Sequence, residues 1–292
     1  MKVRYDRRAA QNYSDNKPCM KSISGCIRRQ TRHFDRQIRS NISLAAYSNM
    51  ETVTPAHPSV AIRKLCEDRV RQDNRDFGIT SFYLPNPFFT NAPKWCLVAM
   101  EPSLGGMSPE EFQSQLDRGF LNFLWSEGDF ILHYCAFTFL CGQSFDYHIT
   151  DISKGAMKTA VANSRRSERY GNWLALLKNE LRLLNNPRLI AIGSSAGDYL
   201  RKKNFVVDAS IMHYSQQNSF RFRDYYLQHP NNFLADDAHT KLKNFSAALL
   251  KTLSYHPSLR DFILSRLFNA ELSVWKKGLF LSYMDAFSAT RS

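Results

Sequence analysis

Residues Trp95 to Ala99 form an unbroken apolar run, Trp-Cys-Leu-Val-Ala, which passes straight into Met100-Glu101-Pro102-Ser103 and then the pair Gly105-Gly106. An apolar run this short, without alternation and bounded by turn residues, predicts a strand covered on both faces. Such strands lie at the centre of parallel sheets. Open α/β sheets bind their ligands at the carboxyl ends of their strands. Glu101 therefore falls where chemistry is expected.

The rest of the chain supplies the partners such a strand needs. Val60 to Asp73 has helical spacing, and the aromatic, proline-broken stretch Phe77 to Pro93 reads as irregular. Ser108-Pro109-Glu110-Glu111 carries a capping box with Ser at N-cap, Pro at N1 and Glu at N3, so a helix is expected from there to about Trp125. This assigns Glu110 and Glu111 to a helix start rather than to catalysis. Ile131 to Leu140 is apolar and aromatic, and Tyr147 to Ile152 reads as a second strand. Ala162 to Gly171 reads as a polar loop holding Arg165, Arg166 and Arg169, followed by an amphipathic helix over Asn172 to Leu184, closed by Asn185-Asn186-Pro187. Arg188 to Gly193 predicts a third strand, Ser194 onward a helix, and Val206 to Met212 a fourth strand running into His213-Tyr214-Ser215. Alternating strands and helices imply an α/β fold with parallel pairing and right-handed crossovers. One more helix is expected over 241–254, and the aromatic C-terminus from Pro257 reads as helices packed on the domain.

Charge divides the chain. Residues 1–49 hold eleven Lys and Arg against three Asp, which is +8 of the formal +13. This polar stretch lacks sustained periodicity and reads as a basic, disordered tail, with a nucleic-acid-binding arm as its functional alternative. The expected organisation is tail 1–49, α/β domain 50–255 and helical extension 256–292. With +5 left for the remainder, the folded part is only mildly basic. Six cysteines occur without a CxxC pair and without histidine at ligand spacing. Together with the lack of an apolar leader, they point to a reducing cytoplasm, no metal and no cofactor. Charges at Arg266, Glu271, Lys276 and Lys277 interrupt the apolar stretch 262–287, which argues against a membrane span.

Four strand ends offer functional groups: Glu101, Asp151, the turn from Gly193 to Gly197, and His213. In a parallel sheet these converge on one edge, where two carboxyls and a histidine make an acid/base constellation. The alternatives are a turn-capping carboxylate for Glu101 and Asp151 and an ordinary loop histidine for His213. Gly193-Ser194-Ser195-Ala196-Gly197 matches G-x-S-x-G and raises a serine hydrolase with Ser195 as nucleophile. That fold needs further strands after the elbow for its acid and histidine, whereas one strand follows here. The reading taken instead is a small-residue turn that lets helix and strand pack closely, with free N–H groups, Ser194 included, that could hold a phosphate.

On these residues the chain resembles the uracil-DNA glycosylase superfamily over roughly residues 75–255. Ala99-Met100-Glu101-Pro102-Ser103 is similar to that family's strand running into Gly-x-Asp/Asn-Pro, and Ile211-Met212-His213-Tyr214-Ser215 to its strand followed by His-Pro-Ser. His148 to Lys154 resembles the second strand ending in Thr-Asn, and Leu189 to Leu200 the third strand with its helix. Ala99 stands for glycine, Tyr214 for proline and Asp151 for the asparagine that reads the uracil edge. An ionised Asp accepts hydrogen bonds but does not donate them.

The resemblance implies a three-layer α/β/α sandwich with a central four-stranded parallel sheet. It also implies hydrolysis of the N-glycosidic bond of a flipped base in single- or double-stranded DNA. Glu101 would orient the water and His213 would hydrogen-bond the departing base. Met100, Pro102, Ser103, Asp151 and Ser215 would line the base, while Arg165, Arg166, Arg169, Ser194, Arg221 and Arg223 would meet phosphates. A catalytically silent nucleic-acid- or nucleotide-binding member of the fold is the alternative.

Overall fold

A computed structural model describes residues 58–229 and 238–291; the expected tail over residues 1–49 lies outside them. Helix α1 (Pro58–Phe77) extends past both ends of the periodicity that predicts it. Strand β1 (Phe82–Tyr83) lies inside the stretch expected to be irregular. The central strand β2 (Trp95–Ala99) has all five residues buried.

Helix α2 (Pro109–Asp117) starts as its capping box dictates, with Ser108 Oγ accepting from Glu111 N–H and Glu111 Oε2 accepting from Ser108 N–H at 2.8 Å. It stops well before Trp125. Gly119 takes a φ of +85°, and Phe120 N–H closes on the Gln115 carbonyl at 3.1 Å, a left-handed glycine stop. Helix α3 (Glu127–Cys135) has its own capping box, Ser126 with Asp129, and runs into a π-turn over Ala136–Leu140.

Strand β3 (Tyr147–Asp151) is followed by β4 (Gly155–Ala156), which pairs antiparallel with β1, and by the single turn α4 (Thr159–Ala162). Helix α5 (Arg166–Leu183) begins inside the expected polar loop. Arg165, left-handed at φ 48°, ends the loop, and Arg169 and Tyr170 turn inward where charge alone suggested solvent. Then come β5 (Arg188–Ile192), α6 (Ser194–Lys202) and β6 (Ala209–Ile211). Strand β6 is shorter than expected because Val206 lies outside the ladder, 82% exposed. The chain closes with α7 (Ser219–Gln228), α8 (Ala238–Thr252), α9 (Pro257–Leu267) and α10 (Val274–Arg291).

The main sheet has the order β3-β2-β5-β6, all parallel, with Ala99 opposite Asp151, Val98 opposite Ala191 and Ile192 opposite Ile211. Cys96 and Val98 of β2 pack on one side with Leu177 and Leu181 of α5 and Ala196 and Leu200 of α6. On the other side, Tyr147 of β3 bonds to His133 of α3, whose Tyr134 packs on Phe245 of α8 and Phe280 of α10. Helices thus cover both faces, giving the expected three-layer α/β/α arrangement with C-terminal helices.

Helix α10 crosses α7 so closely that a Cβ at Gly278 would stand 1.8 Å from the Phe222 carbonyl oxygen. Gly278→Ala is therefore expected to cost about 2 kcal/mol through overpacking. Urea denaturation checks this, and an unchanged midpoint would mean that the contact yields freely.

Candidate active site

Beyond Ala99 the chain stays in line with its neighbour. Ile152 N–H donates to the Ala99 carbonyl at 2.9 Å, and Ser153 N–H to that of Met100 at 3.0 Å. This sends the Glu101 side chain toward α5. Its Oε1 accepts from Arg166 Nη2 at 2.6 Å and its Oε2 from the Tyr170 hydroxyl, with only 8% of the side chain exposed. Burial raises the Glu101 pKa, and the Arg166 guanidinium works against that rise by favouring the ion. The result is a buried carboxyl held by two donors at the end of the central strand.

Asp151, opposite Ala99, lies 2% exposed on the neighbouring strand. Its Oδ2 accepts from Asn122 Nδ2 at 2.6 Å. Asn122 also donates to Asn86 Oδ1 at 2.9 Å, and Asn86 donates to Thr150 Oγ1 at 3.0 Å. Behind the strand end, Lys154 Nζ holds the Asp151 carbonyl at 2.7 Å and Glu180 Oε2 at 2.9 Å, while Thr150 and His148 also bond to Glu180. Burial pushes the Asp151 pKa up to about 8 against the opposing pull of Lys154, and the Glu101 charge adds to the rise.

A carboxyl whose folded pKa is raised stabilises the fold fully below its unfolded pKa near 3.8 and loses that contribution as pH rises through the folded value of about 8. Over that window wild type should lose up to about 1.4 kcal/mol per pH unit relative to Asp151→Asn. Denaturation midpoints of the two proteins at pH 5, 6, 7 and 8 measure this. Parallel pH profiles would show that Asp151 does not carry the effect.

His213 follows β6, half-buried. Its Nδ1 accepts from Ser215 N–H at 3.0 Å, so the neutral ring carries its proton on Nε2. Burial lowers its pKa, against the opposing pull of Asp129, and so favours the neutral imidazole. Next to it, Gly193 sits at φ +93°, and a Cβ there would stand 3.3 Å from the His213 Cβ. The turn between β5 and α6 thus lets the histidine lie against the sheet edge.

The other candidates are placed differently. Met100 packs on the α5 side and Pro102 is buried. Ser103 is exposed, its Oγ 3.1 Å from Thr159 Oγ1. Arg165 bonds to Glu168 and the Asp76 carbonyl and lies over the Phe77 ring. Arg169 corrects the expectation of a phosphate contact: it is 1% exposed and donates to the Ser164 and Ala162 carbonyls and to Met157 Sδ, because it holds the loop onto α5. Arg166 is engaged by Glu101. Arg221 and Arg223 are exposed on α7, and Ser194 is exposed at the start of α6. Ser195 is exposed too, and among the described residues no histidine or carboxylate hydrogen-bonds to it.

Sequence reasoning missed Tyr170, Asn122, Lys154 and Glu180, which carry no local signal of their role. It also missed Asp129, for which the Ser126-x-x-Asp129 capping pattern was a usable sign. Among the described residues no group of three or more His, Cys, Asp or Glu is placed to hold a metal ion, and no helix is long and apolar enough to cross a membrane. No family model matches the chain, and no curated protein matches it.

Proposed function

We propose that this protein is a glycosylase-like hydrolase that cleaves the N-glycosidic bond of a flipped base in DNA, in keeping with its resemblance to the uracil-DNA glycosylase superfamily. One observation carries the reading: two buried carboxyls at neighbouring strand ends have different partners. Burial pushes the Asp151 pKa up to about 8, while Glu101, also raised by burial, is held toward its ion by Arg166. Carboxyls in unlike environments are suited to dividing acid and anion roles between them.

Breaking the C1′–N bond leaves its electron pair on the base and positive charge on the sugar. The Nε2–H of His213 donates to the base as it gains charge, which is stabilisation by a preset dipole. In this reading Glu101 serves the sugar side of the base: through the lone pairs that Arg166 and Tyr170 leave it orients a water and takes its proton as the oxygen bonds to C1′. Asp151, protonated, donates through Oδ1 and accepts through the lone pair of Oδ2 that Asn122 leaves, the pattern by which an asparagine meets a lactam edge of adjacent carbonyl and N–H. Arg221, Arg223 and Ser194 are the exposed groups suited to phosphates.

A second reading, a catalytically silent nucleotide-binding member of the fold, is favoured by one feature: both Glu101 oxygens already accept hydrogen bonds. The deciding experiment incubates the protein with single- and double-stranded oligonucleotides carrying uracil or hypoxanthine, then cleaves abasic sites with alkali. Strand scission at a lactam base is expected. Intact oligonucleotides under conditions where the protein binds them would remove the enzyme and leave the binding module.

A further inference from the structure

Tyr214 has no part in the reaction proposed above, yet its surroundings hold it closely. Its hydroxyl donates to Asp129 Oδ1 at 2.6 Å. The other Asp129 oxygen accepts the backbone N–H groups of Trp125 at 2.9 Å and Ser126 at 2.7 Å, so the carboxylate is anchored at the start of α3. The Tyr214 ring lies parallel to the His213 imidazole, with centroids 4.9 Å apart and planes 8° from each other. It also presses on Gly128, where a Cβ would stand 2.6 Å from Tyr214 Cδ2. One residue before the histidine, the Met212 carbonyl accepts from the Tyr283 hydroxyl of α10 at 2.6 Å.

We propose that Tyr214, clamped by Asp129, is the positioning residue of His213: it fixes the plane of the imidazole and covers one of its faces, so that Nε2–H points to one place at the sheet edge. The bond from Ser215 N–H sets the tautomer, but a single hydrogen bond leaves the ring free to rock about χ2, a broad torsion. A stacked ring whose own far end is tied down removes that freedom. Asp129 on α3 is the charged group that bears on His213, and the Tyr214 phenol gives its oxygen a neutral partner. What His213 does rests on the base-excision reading; how it is held does not.

The test follows His213 by NMR in the full-length protein labelled with 15N-histidine, with His213→Gln to assign its signal. Wild type should show the Nε2–H tautomer and titrate below 6.5, the ordinary value. In Tyr214→Ser, water reaches the uncovered face. The midpoint should rise to about 6.5 and the tautomers should mix. Tyr214→Phe keeps the ring but leaves Asp129 Oδ1 without its donor, so an intermediate rise is expected.

In the excision assay, Tyr214→Ser should lower kcat about tenfold while KM changes less than about twofold. Unchanged titration and tautomer in both variants would overturn the proposal, whether or not DNA is cleaved. If Tyr214→Ser fails to fold, Tyr214→Phe decides alone. Absence of excision by wild type would remove the proposed reaction and leave the NMR result to judge the clamp.

Discussion

Glu101→Gln is expected to lower the rate of base excision at saturating oligonucleotide by at least about 100-fold, the range set by loss of a general base or of a preset electrostatic contact. The amide keeps the shape of the side chain but can neither take a proton from water nor oppose positive charge on the sugar. Glu101 also accepts from Arg166 and Tyr170, so the variant must be shown to melt within a few degrees of wild type. Equal KM with lowered kcat would place the loss in the transition state. Wild-type rates in Glu101→Gln would move the base elsewhere and leave Glu101 as a structural partner of α5.

The largest stability effect is expected at the pair behind Asp151. Lys154 and Glu180 are 2% and 9% exposed at their side chains and lie 2.9 Å apart. Burial alone would lower the Lys154 pKa and raise that of Glu180. Their mutual attraction outweighs burial, so Lys154 is raised and Glu180 is brought down to about 2. Lys154→Met strands the Glu180 charge in the core and should cost about 3–5 kcal/mol. Lys154→Met with Glu180→Leu removes both charges and should recover much of that loss, since a buried pair replaced by apolar groups is often close to neutral. Urea denaturation of the three proteins at pH 7 decides. A single variant costing less than about 1 kcal/mol would show that water or His148 meets the charge instead.

The parts of this fold that could be read from the sequence are those set by neighbours along the chain. The Trp95–Ala99 run needed only its own composition to declare a strand buried on both faces, and its burial is complete. The Ser108 capping box declared the start of α2 because its hydrogen bonds join residues three apart. The end of the same helix differs from the expected one near Trp125: Gly119, at φ +85°, stops it after Asp117. Arg165 to Arg169 misled for the opposite reason: a charged run suggests a solvated loop, yet Arg169 finds enough carbonyl partners to lie inside.

For the candidate site, the sequence by itself determined which groups stand at the strand ends: Glu101, Asp151 and His213 follow from strand position alone. Only the tertiary structure decided what those groups are chemically. The Arg166 and Tyr170 donors to Glu101, the burial that raises the Asp151 pKa, and the Asp129–Tyr214 clamp beside His213 all depend on residues distant in sequence. A side chain's identity is written in the chain. Its ionisation state depends on desolvation and on charges arriving through space, and these exist only once the sheet and its helices have closed around it.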